Sequence, residues 1–387
     1  MSAEANPVAS SAAIEHLRWA LTAQVGPILF GRIIERFGSA QQALGVGVHQ
    51  LESVEGVGSA TAETIVRSRD SVEIAPEIER AEQLGVRIIC RDDDEYPPGL
   101  RHIPDPPICL YLRGRLEAED AVAVAIVGAR RCSLYGREQA HRFAYQLATR
   151  GVTIISGLAR GVDSEGHKGA IAAGGRTLAV LGNGLADIYP PENRELAERI
   201  CRQGAVISEL PLRIEPRAEN FLPRNRLIAG MSLGVLVVEA AWRSGSLSTA
   251  ARASEYNREV FAIPGRLDNA QSNGPNALIR DQHAKLVMNA DDILDELGEV
   301  GKALQSGTAA KTDNAQEEPQ LRAVLNEDER RIIDSLDHEE TAFETIAESS
   351  GLPTAKVAAT LIALQLKGLV RQLPGNVFIR LNTGRKK

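Results

Sequence analysis

Ala121-Val-Ala-Val-Ala-Ile-Val-Gly-Ala-Arg-Arg131 and Val152-Thr-Ile-Ile-Ser-Gly-Leu-Ala-Arg-Gly-Val-Asp163 decide the fold. Each is a short, continuous apolar run that ends at a glycine and then an arginine. Runs of this kind, without polar alternation, are the pattern of strands buried on both faces. Between them, residues 136–149 repeat Ala140, Phe143, Ala144 and Leu147 on one helical face. The pattern continues, with strands read at 121–127, 152–156, 177–181, 205–208, 234–239 and 260–263 and helical stretches between. Strands alternating with helices predict an α/β domain built on a doubly wound, mostly parallel sheet.

In such a sheet, ligands bind beyond the carboxyl ends of the strands, and those loops can be read directly. They are Gly128-Ala-Arg130-Arg131-Cys-Ser133-Leu-Tyr135-Gly136, Ser156-Gly157-Leu-Ala-Arg160-Gly161-Val-Asp163 and Gly182-Asn-Gly184-Leu-Ala-Asp187-Ile-Tyr189. To these add Asn220-Phe221-Leu-Pro-Arg224-Asn225-Arg226, Trp242-Arg243-Ser244-Gly245-Ser246 and Pro264-Gly265-Arg266. Glycine lets main-chain N–H groups approach an anion, and a helix N-terminus adds partial positive charge. Arginine gives bidentate phosphate contact. Seven arginines (130, 131, 160, 224, 226, 243 and 266) on one predicted edge make a phosphate-binding rim the expectation. Tyr135, Tyr189, Phe221 and Trp242 could stack on bases. Phe221, three residues before Arg224, suits a base and its phosphate together, although the same spacing suits a core plug.

The rim does not carry the usual nucleotide motifs. Gly182-Asn-Gly184-Leu-Ala-Asp187 lacks the GxGxxG pattern. Gly161-Val-Asp-Ser-Glu-Gly-His167-Lys168-Gly169 lacks the Gly-Lys-Ser/Thr of a P-loop, which excludes that ATPase motif, although Lys168 remains a candidate phosphate contact. Ser156, Asp163 and His167 could form a triad, but Asp163 and His167 at a helix start also read as a cap and a packed residue. Glu209 and Glu239 end strands and are expected to bond to backbone or to a nearby arginine.

The flanking segments differ from this centre. Of 387 residues, 43% are hydrophobic and 25% charged, a globular composition with room for two or three domains. The net charge of −7 conceals a division: residues 1–120 sum to −8, residues 121–290 to +6 and residues 291–387 to −5. The basic middle keeps nucleic acid open as a partner. Residues 1–75 read as a helical, SAM/helix-hairpin-helix-like domain, with Glu55-Gly-Val-Gly-Ser59 as its turn. Glu52 and Glu55 beside that turn favour packing over DNA contact. Residues 76–298 form the extended sheet domain, entered through strands at 85–90 and 106–112. Asp92-Asp-Asp-Glu95 between them reads as a solvated loop rather than a metal site. Residues 299–324 read as a linker. Residues 325–387 read as helices at 326–336, 341–350 and 354–367 and a two-stranded wing at 368–381, a winged helix. Its third helix holds only Lys356 and Lys367, few cations for a duplex reader, so the domain reads as a protein-contact or weak DNA module rather than the core of a transcription factor. Cys90, Cys109, Cys132 and Cys201 form no CxxC pair and no His–Cys cluster in sequence, which argues against zinc and fits a reducing cytoplasm. No signal peptide and no run of about 20 apolar residues is evident.

The rim loops resemble the DNA-processing protein A (DprA/Smf) family. The matching segments are Gly128-Ala-Arg130 with Ser133 and Tyr135-Gly136, Ile155–Asp163 with His167, 175–187, Tyr189-Pro-Pro-Glu-Asn193 and Ser208-Glu-Leu-Pro211. They continue through 221–232, 238–240 with 244–250, and 260–265. The resemblance implies a Rossmann-like domain that binds single-stranded DNA without catalysis or cofactor, protects incoming strands in natural transformation and helps to load the RecA recombinase. It also implies a cytoplasmic homodimer formed through that domain. By this match Arg130, Ser133, Phe221, Arg224, Asn225 and Arg226 line the strand pocket. Gly128, Gly136, Ser156, Gly157, Gly161, Lys168, Gly182, Gly184, Gly245 and Ser246 complete the expected contact set. Ala129, Gly166, Asn257 and Gln282-His-Ala284 depart from the family pattern, the last at the domain end where dimer geometry is set. An enzyme is the alternative. The sheet is similar to that of lysine-decarboxylase-like phosphoribohydrolases, but Arg252 stands where their Gly-Gly-x-Gly-Thr-x-x-Glu segment needs an acid.

Overall fold

A computed structural model describes residues 7–298, 300, 301, 304, 305, 327–336, 341–354, 356, 357, 360, 361, 364, 369–373 and 377–380. The N-terminal part is helical: α1 (Ser11–Ala20), α2 (Pro27–Phe37), α3 (Ala40–Leu44), α4 (Val48–Leu51), α5 (Ser59–Ser71) and α6 (Ala75–Gln83). Local chemistry sets several of its boundaries. The hydroxyls of Ser10 and Ser39 accept N–H bonds at the starts of α1 and α3, and Pro27 opens α2. Glu55-Gly-Val-Gly-Ser59 turns the chain into α5. The Arg32 guanidinium bonds the Glu55 carbonyl at 2.9 Å, so the turn is packed against a neighbouring helix.

The sheet follows as β1 (Arg87–Cys90), β2 (Cys109–Gly114), β3 (Ala123–Val127), α7 (Leu134–Thr149), β4 (Thr153–Ser156), α8 (Val162–Ala172) and β5 (Thr177–Val180). It continues through α9 (Arg194–Gln203), β6 (Gly204–Ser208), α10 (Ala218–Gly230), β7 (Gly234–Val237) and α11 (Gly245–Glu255). Last come β8 (Glu259–Ala262), α12 (Asn273–Arg280), β9 (Lys285–Leu286) and α13 (Ala290–Glu296). Among the described residues the nine strands run in the order β1-β2-β6-β5-β4-β3-β7-β8-β9. From β6 to β9 every pairing is parallel, while β1 and β2 join antiparallel. The sequence reading located β1 to β8 to within a few residues. It did not find β9, two exposed residues that are too short a run to carry a strand pattern.

Chain order reverses between β3 and β7: β3 leads through β4 and β5 to β6 on one side, and β7 leads to β8 and β9 on the other. This reversal opens a crevice at the carboxyl ends of those two strands. The inward strand residues are almost fully buried, which fits their continuous apolar runs.

The helical segment is not set apart by its own core. Leu17, Trp19, Phe30, Leu51 and Ile65 share one cluster with Ile88, Cys109, Leu181 and Val206 of the sheet domain. Residues 1–308 group as one unit and 309–387 as another. In the segment read as a linker, residues 300, 301, 304 and 305 are helical, and Leu304 packs on the core behind α7; the rest of that segment lies outside the described residues. Folding also brings His16 of α1 beside Cys90 and Asp92, a His–Cys cluster that sequence spacing did not indicate.

The second unit has α14 (Glu327–Asp334), β10 (Thr341–Ala342), α15 (Phe343–Ser350), β11 (Val370–Leu373) and β12 (Val377–Arg380). Its sheet order is β10-β12-β11. Residues 341 and 342 were expected to begin a helix but pair with β12 as a short strand. Residues 354, 356, 357, 360, 361 and 364 are helical, and Val357, Leu361 and Leu364 lie in the core with Ile332, Ile346 and Phe378. Residues 374–376 within the expected wing, and Lys367, lie outside the described residues.

Candidate nucleic-acid interface

The rim is assembled from five loops, and its centre is Phe221 in the first turn of α10. The ring lies over Gly182, where an added Cβ would come within 2.8 Å of Phe221 Cδ1. Gly182 thus has no side chain because an aromatic ring occupies that space. Tyr189 flanks the ring with centroids 5.9 Å apart. The guanidinium carbon of Arg130 stands 5.2 Å from the ring centroid, and that of Arg224 stands 5.9 Å away. Both distances fall within cation–π range. Phe221 is half-buried and Arg130 is exposed. The exposed Arg130 guanidinium therefore stands on a partly accessible aromatic ring.

The two arginines differ in role. The Arg224 side chain is buried, donating to the Gly157 carbonyl at 3.0 Å and to the Val180 carbonyl. Gly157 makes room for it, since a Cβ there would lie 2.6 Å from its terminal nitrogens. Burial lowers the guanidinium to about 10, opposed by the Asp163 carboxylate. Asp163 in turn accepts from the Gly157 and Ala159 N–H groups at 3.1 and 3.4 Å, and burial raises its own pKa. Arg226 is also buried, held by the Asp105 carbonyl at 2.7 Å and by the carboxylates of Glu209 and Asp105.

The structure places several residues of the expected set inside the domain. Arg224 and Arg226 are buried and bind carbonyl and carboxylate groups there. Asn225 is buried and donates to the Gly245 carbonyl and Ser248 Oγ, both at 3.0 Å. The Ser156 hydroxyl is buried and donates to the Ile126 carbonyl at 2.6 Å. Lys168 lies in the second turn of α8 and pairs with Glu165 at 2.9 Å, away from the rim. Gly184 is buried where a Cβ would strike the Pro211 and Leu212 carbonyls. The expected set is therefore divided: Arg130, Phe221, Gly182 and Gly157 come together at the centre, while Arg224, Arg226, Asn225, Ser156 and Gly184 hold the loops from beneath.

The crevice between β3 and β7 shows the same internal use of polar groups. Glu239, 1% exposed, accepts from the Ser133 N–H at 2.8 Å and from the Ser133 hydroxyl at 2.6 Å. Ser133 Oγ accepts from the Gly136 N–H at 3.1 Å and caps α7. A Cβ on Gly136 would lie 2.4 Å from the Glu239 carboxylate, and one on Gly128 would strike Val162 and the Glu239 carbonyl. A protein carboxylate thus occupies the anion position at the N-terminus of α7, where a dinucleotide fold would place a phosphate. The sequence reading expected backbone or arginine partners for Glu239 but did not foresee this position. Gly161, at φ 77°, brings its backbone so close that a Cβ would lie 2.3 Å from the Ala129 carbonyl, which ties the first two rim loops together.

Around the centre, Arg131, Arg160, Arg243 and Arg266 are exposed. Arg160 pairs with Glu192, and Arg266 with Asp268 at 3.0 Å. Trp242 is 61% and Leu222 56% exposed. The α11 N-terminus carries exposed Gly245, with Ser246 Oγ 2.9 Å from Ser244 Oγ. Arg252, at the position where the enzyme reading needs an acid, pairs with Glu255 at 2.7 Å on the surface.

Of the three residues considered as a triad, Ser156 and Asp163 hydrogen-bond each other, while His167 takes a different partner. His167 Nδ1 lies 2.7 Å from Thr177 Oγ1, while Ser156 and Asp163 also bond as described above. Burial pulls the imidazole down from 6.5 to about 3, with Arg224 adding to the effect. The folded state therefore holds this imidazole neutral where the unfolded state protonates it, and the His167 contribution to stability falls as pH drops below about 6.5, by on the order of 1 kcal/mol per pH unit. Urea unfolding of the chain and of His167→Gln across pH 7 to 5 checks this: their difference in unfolding free energy should shrink with acidification at that slope. A constant difference would show that His167 does not carry the effect.

The model of the family described as DNA recombination-mediator protein A matches residues 87–298, and that of the DprA winged helix domain matches residues 316–376. Protein Smf of Synechocystis is 33% identical over 389 residues, covering 94% of this chain and 98% of that protein. Protein Smf of Escherichia coli is 41% identical over 301 residues, covering 78% and 79%. The crystal structure of DNA processing protein A from Streptococcus pneumoniae aligns with a TM-score of 0.66 at 32% identity, covering 73% of this chain and 97% of that one.

Proposed function

The chain belongs to the DNA recombination-mediator protein A family, and from that premise we propose that it binds single-stranded DNA across the carboxyl rim without chemical turnover. In this reading it protects incoming strands in natural transformation in the cytoplasm and delivers them to the RecA recombinase. The observation that carries the reading is the exposed Arg130 guanidinium set over the half-buried Phe221 ring. A cation beside an accessible aromatic face suits a nucleotide, with phosphate on the guanidinium and base on the ring.

The remaining contacts follow from exposure. Arg131, Arg243, Gly245 and Ser246 extend the path on either side of that centre. Gly128, Ser133, Gly136, Gly157, Gly161 and Gly182 shape the loops. Arg224, Asn225 and Arg226 position the loops and do not touch the strand. Pairing of two copies through the sheet domain is part of the proposal; among the described residues β9 ends the sheet, and Leu286 in it is 40% and Met288 after it 66% exposed. Among the described residues no helix is long and apolar enough to cross a membrane.

Mobility-shift titration with mixed-sequence single strands and with duplex DNA tests the proposal. Single strands should bind more tightly, and log affinity should fall with log salt by about 0.7 per neutralised phosphate. Arg130→Ala should weaken binding of every sequence and flatten that salt slope by about the share of one phosphate. Equal affinity for duplex and single strands, or an unchanged slope in Arg130→Ala, would overturn it.

A further inference from the structure

Away from the rim, α1 and the turn after β1 bring together three groups that bind metals. A ring nitrogen of His16, Cys90 Sγ and a carboxylate oxygen of Asp92 all lie within 4.8 Å of one another. They come from two elements separated by more than seventy residues, so no motif announces them.

The Ala12 carbonyl selects the tautomer of a neutral His16 ring. The ring Nδ1 lies 2.9 Å from the Ala12 carbonyl, which can only accept, so Nδ1 carries the hydrogen. Nε2 of the neutral ring is then a lone pair, and it faces Asp92 Oδ2 at 3.6 Å, also an acceptor. Metal-binding histidines commonly show this arrangement, with one nitrogen donating to a carbonyl and the other directed at the ion. The ring cannot easily turn away, because it is 2% exposed and packs edge-on against Phe30 with centroids 5.2 Å apart.

Cys90 supplies the soft donor. It is fully buried at the end of β1, where its N–H donates to Asp93 Oδ2 at 2.8 Å and its carbonyl accepts from the Asp93 N–H. Those bonds tighten the turn that returns Asp92 toward His16. Asp93 is committed to the turn, which leaves Asp92, the exposed carboxylate, free for a ligand role. A cleft of about 310 Å³ lined by His16, Gly31, Glu35, Ser39, Arg91 and Asp92 opens two of the three groups to solvent, while Cys90 is buried and does not line it.

We propose that His16, Cys90 and Asp92 bind a zinc-class divalent cation, with water from the cleft or Glu35 in the fourth position. Nitrogen, sulfur and oxygen donors together suit zinc. In a tetrahedral site neighbouring donors lie about 3.3–3.8 Å apart, so the cluster needs to contract by about 1 Å. Binding releases the Cys90 thiol proton to solvent and leaves a thiolate on the ion. Arg91 at the cleft mouth opposes binding by its charge, and the Asp92 carboxylate and Cys90 thiolate offset it. The ion would join α1 to the β1 turn within one structural unit.

The test uses the full chain, stripped of metal and then incubated with zinc sulfate. After gel filtration one equivalent of zinc should remain. The thermal midpoint should rise with zinc concentration, as expected for a ligand that binds only the folded state. Cobalt(II) in place of zinc should give a thiolate-to-metal band in the near ultraviolet. Asp92→Asn, an exposed change that spares the core, should weaken zinc binding at least tenfold. Cys90→Ser should lose the thiolate band, and Cys201→Ser should keep it. Absence of retained zinc, or equal retention by Asp92→Asn, overturns the proposal, as does a cobalt band that persists in Cys90→Ser.

Discussion

Arg224→Ala should unfold in urea about 3–5 kcal/mol more easily than the parent chain, while Arg130→Ala should unfold within about 0.5 kcal/mol of it. Both arginines lie within 6 Å of the same aromatic ring, and both occupy loops that read as anion contacts. Their surroundings set them apart. Removing the Arg224 guanidinium leaves the Gly157 and Val180 carbonyls without their donor, and it strips Asp163 of its nearby positive charge. Buried acceptors without partners carry their full desolvation cost. Arg224→Lys should not rescue the loss, because one ammonium cannot reproduce the planar, multiply bonded guanidinium. Arg130 has an exposed side chain that lies on the Phe221 face, so its removal affects the ligand and not the fold. Equilibrium urea unfolding of the three variants separates the roles. A parental midpoint for Arg224→Ala would mean that its guanidinium faces the rim after all.

This division among the arginines was the part of the site that sequence could not resolve. The rim itself was legible, because Gly128-Ala-Arg130, Ser156-Gly157 and Gly182-Asn-Gly184 each end an apolar strand, and strand ends fix where loops emerge. The direction of a side chain in α10 depends on what packs around that helix. One signal was available: Leu227-Ile-Ala-Gly230 directly follows the Arg-Asn-Arg segment, and residues 224–230 are buried without a break. A helix apolar on every side is enclosed, so polar groups at its start have to find internal partners. Glu209 and Asp105 supply them for Arg226, and strand-end carbonyls supply them for Arg224. The His16, Cys90 and Asp92 cluster was illegible for a different reason. It depends on α1 docking against β1, where Ala9 also bridges Ile88, and no local spacing encodes that contact. Residues 341 and 342 illustrate a third kind of miss: two residues carry too little pattern to distinguish a strand from the first turn of a helix, and pairing with Phe378 and Val377 decides it.

Phe221→Ala should lower single-strand affinity by about 1–3 kcal/mol, or roughly 5- to 150-fold, if one base stacks on the ring. The ring also supports Arg130, so the two effects should not add. Arg130→Ala combined with Phe221→Ala should lose less than the sum of the single losses, which is the signature of groups acting as one unit. Loss of binding alone does not separate stacking from packing, because Phe221 also covers Gly182. Phe221→Leu makes that separation: it keeps an apolar side chain over Gly182 but has no aromatic face, and should bind nearly as weakly as the alanine variant. Phe221→Trp should retain most of the affinity. Fluorescence anisotropy titrations with a short labelled single strand, at one fixed salt concentration, give all of these values. Trp242, 61% exposed on the loop after β7, provides the competing platform. If Phe221→Leu binds as well as the parent while Trp242→Ala does not, the strand crosses the β3–β7 crevice instead, and the Arg130–Phe221 pair is a packing feature of the rim.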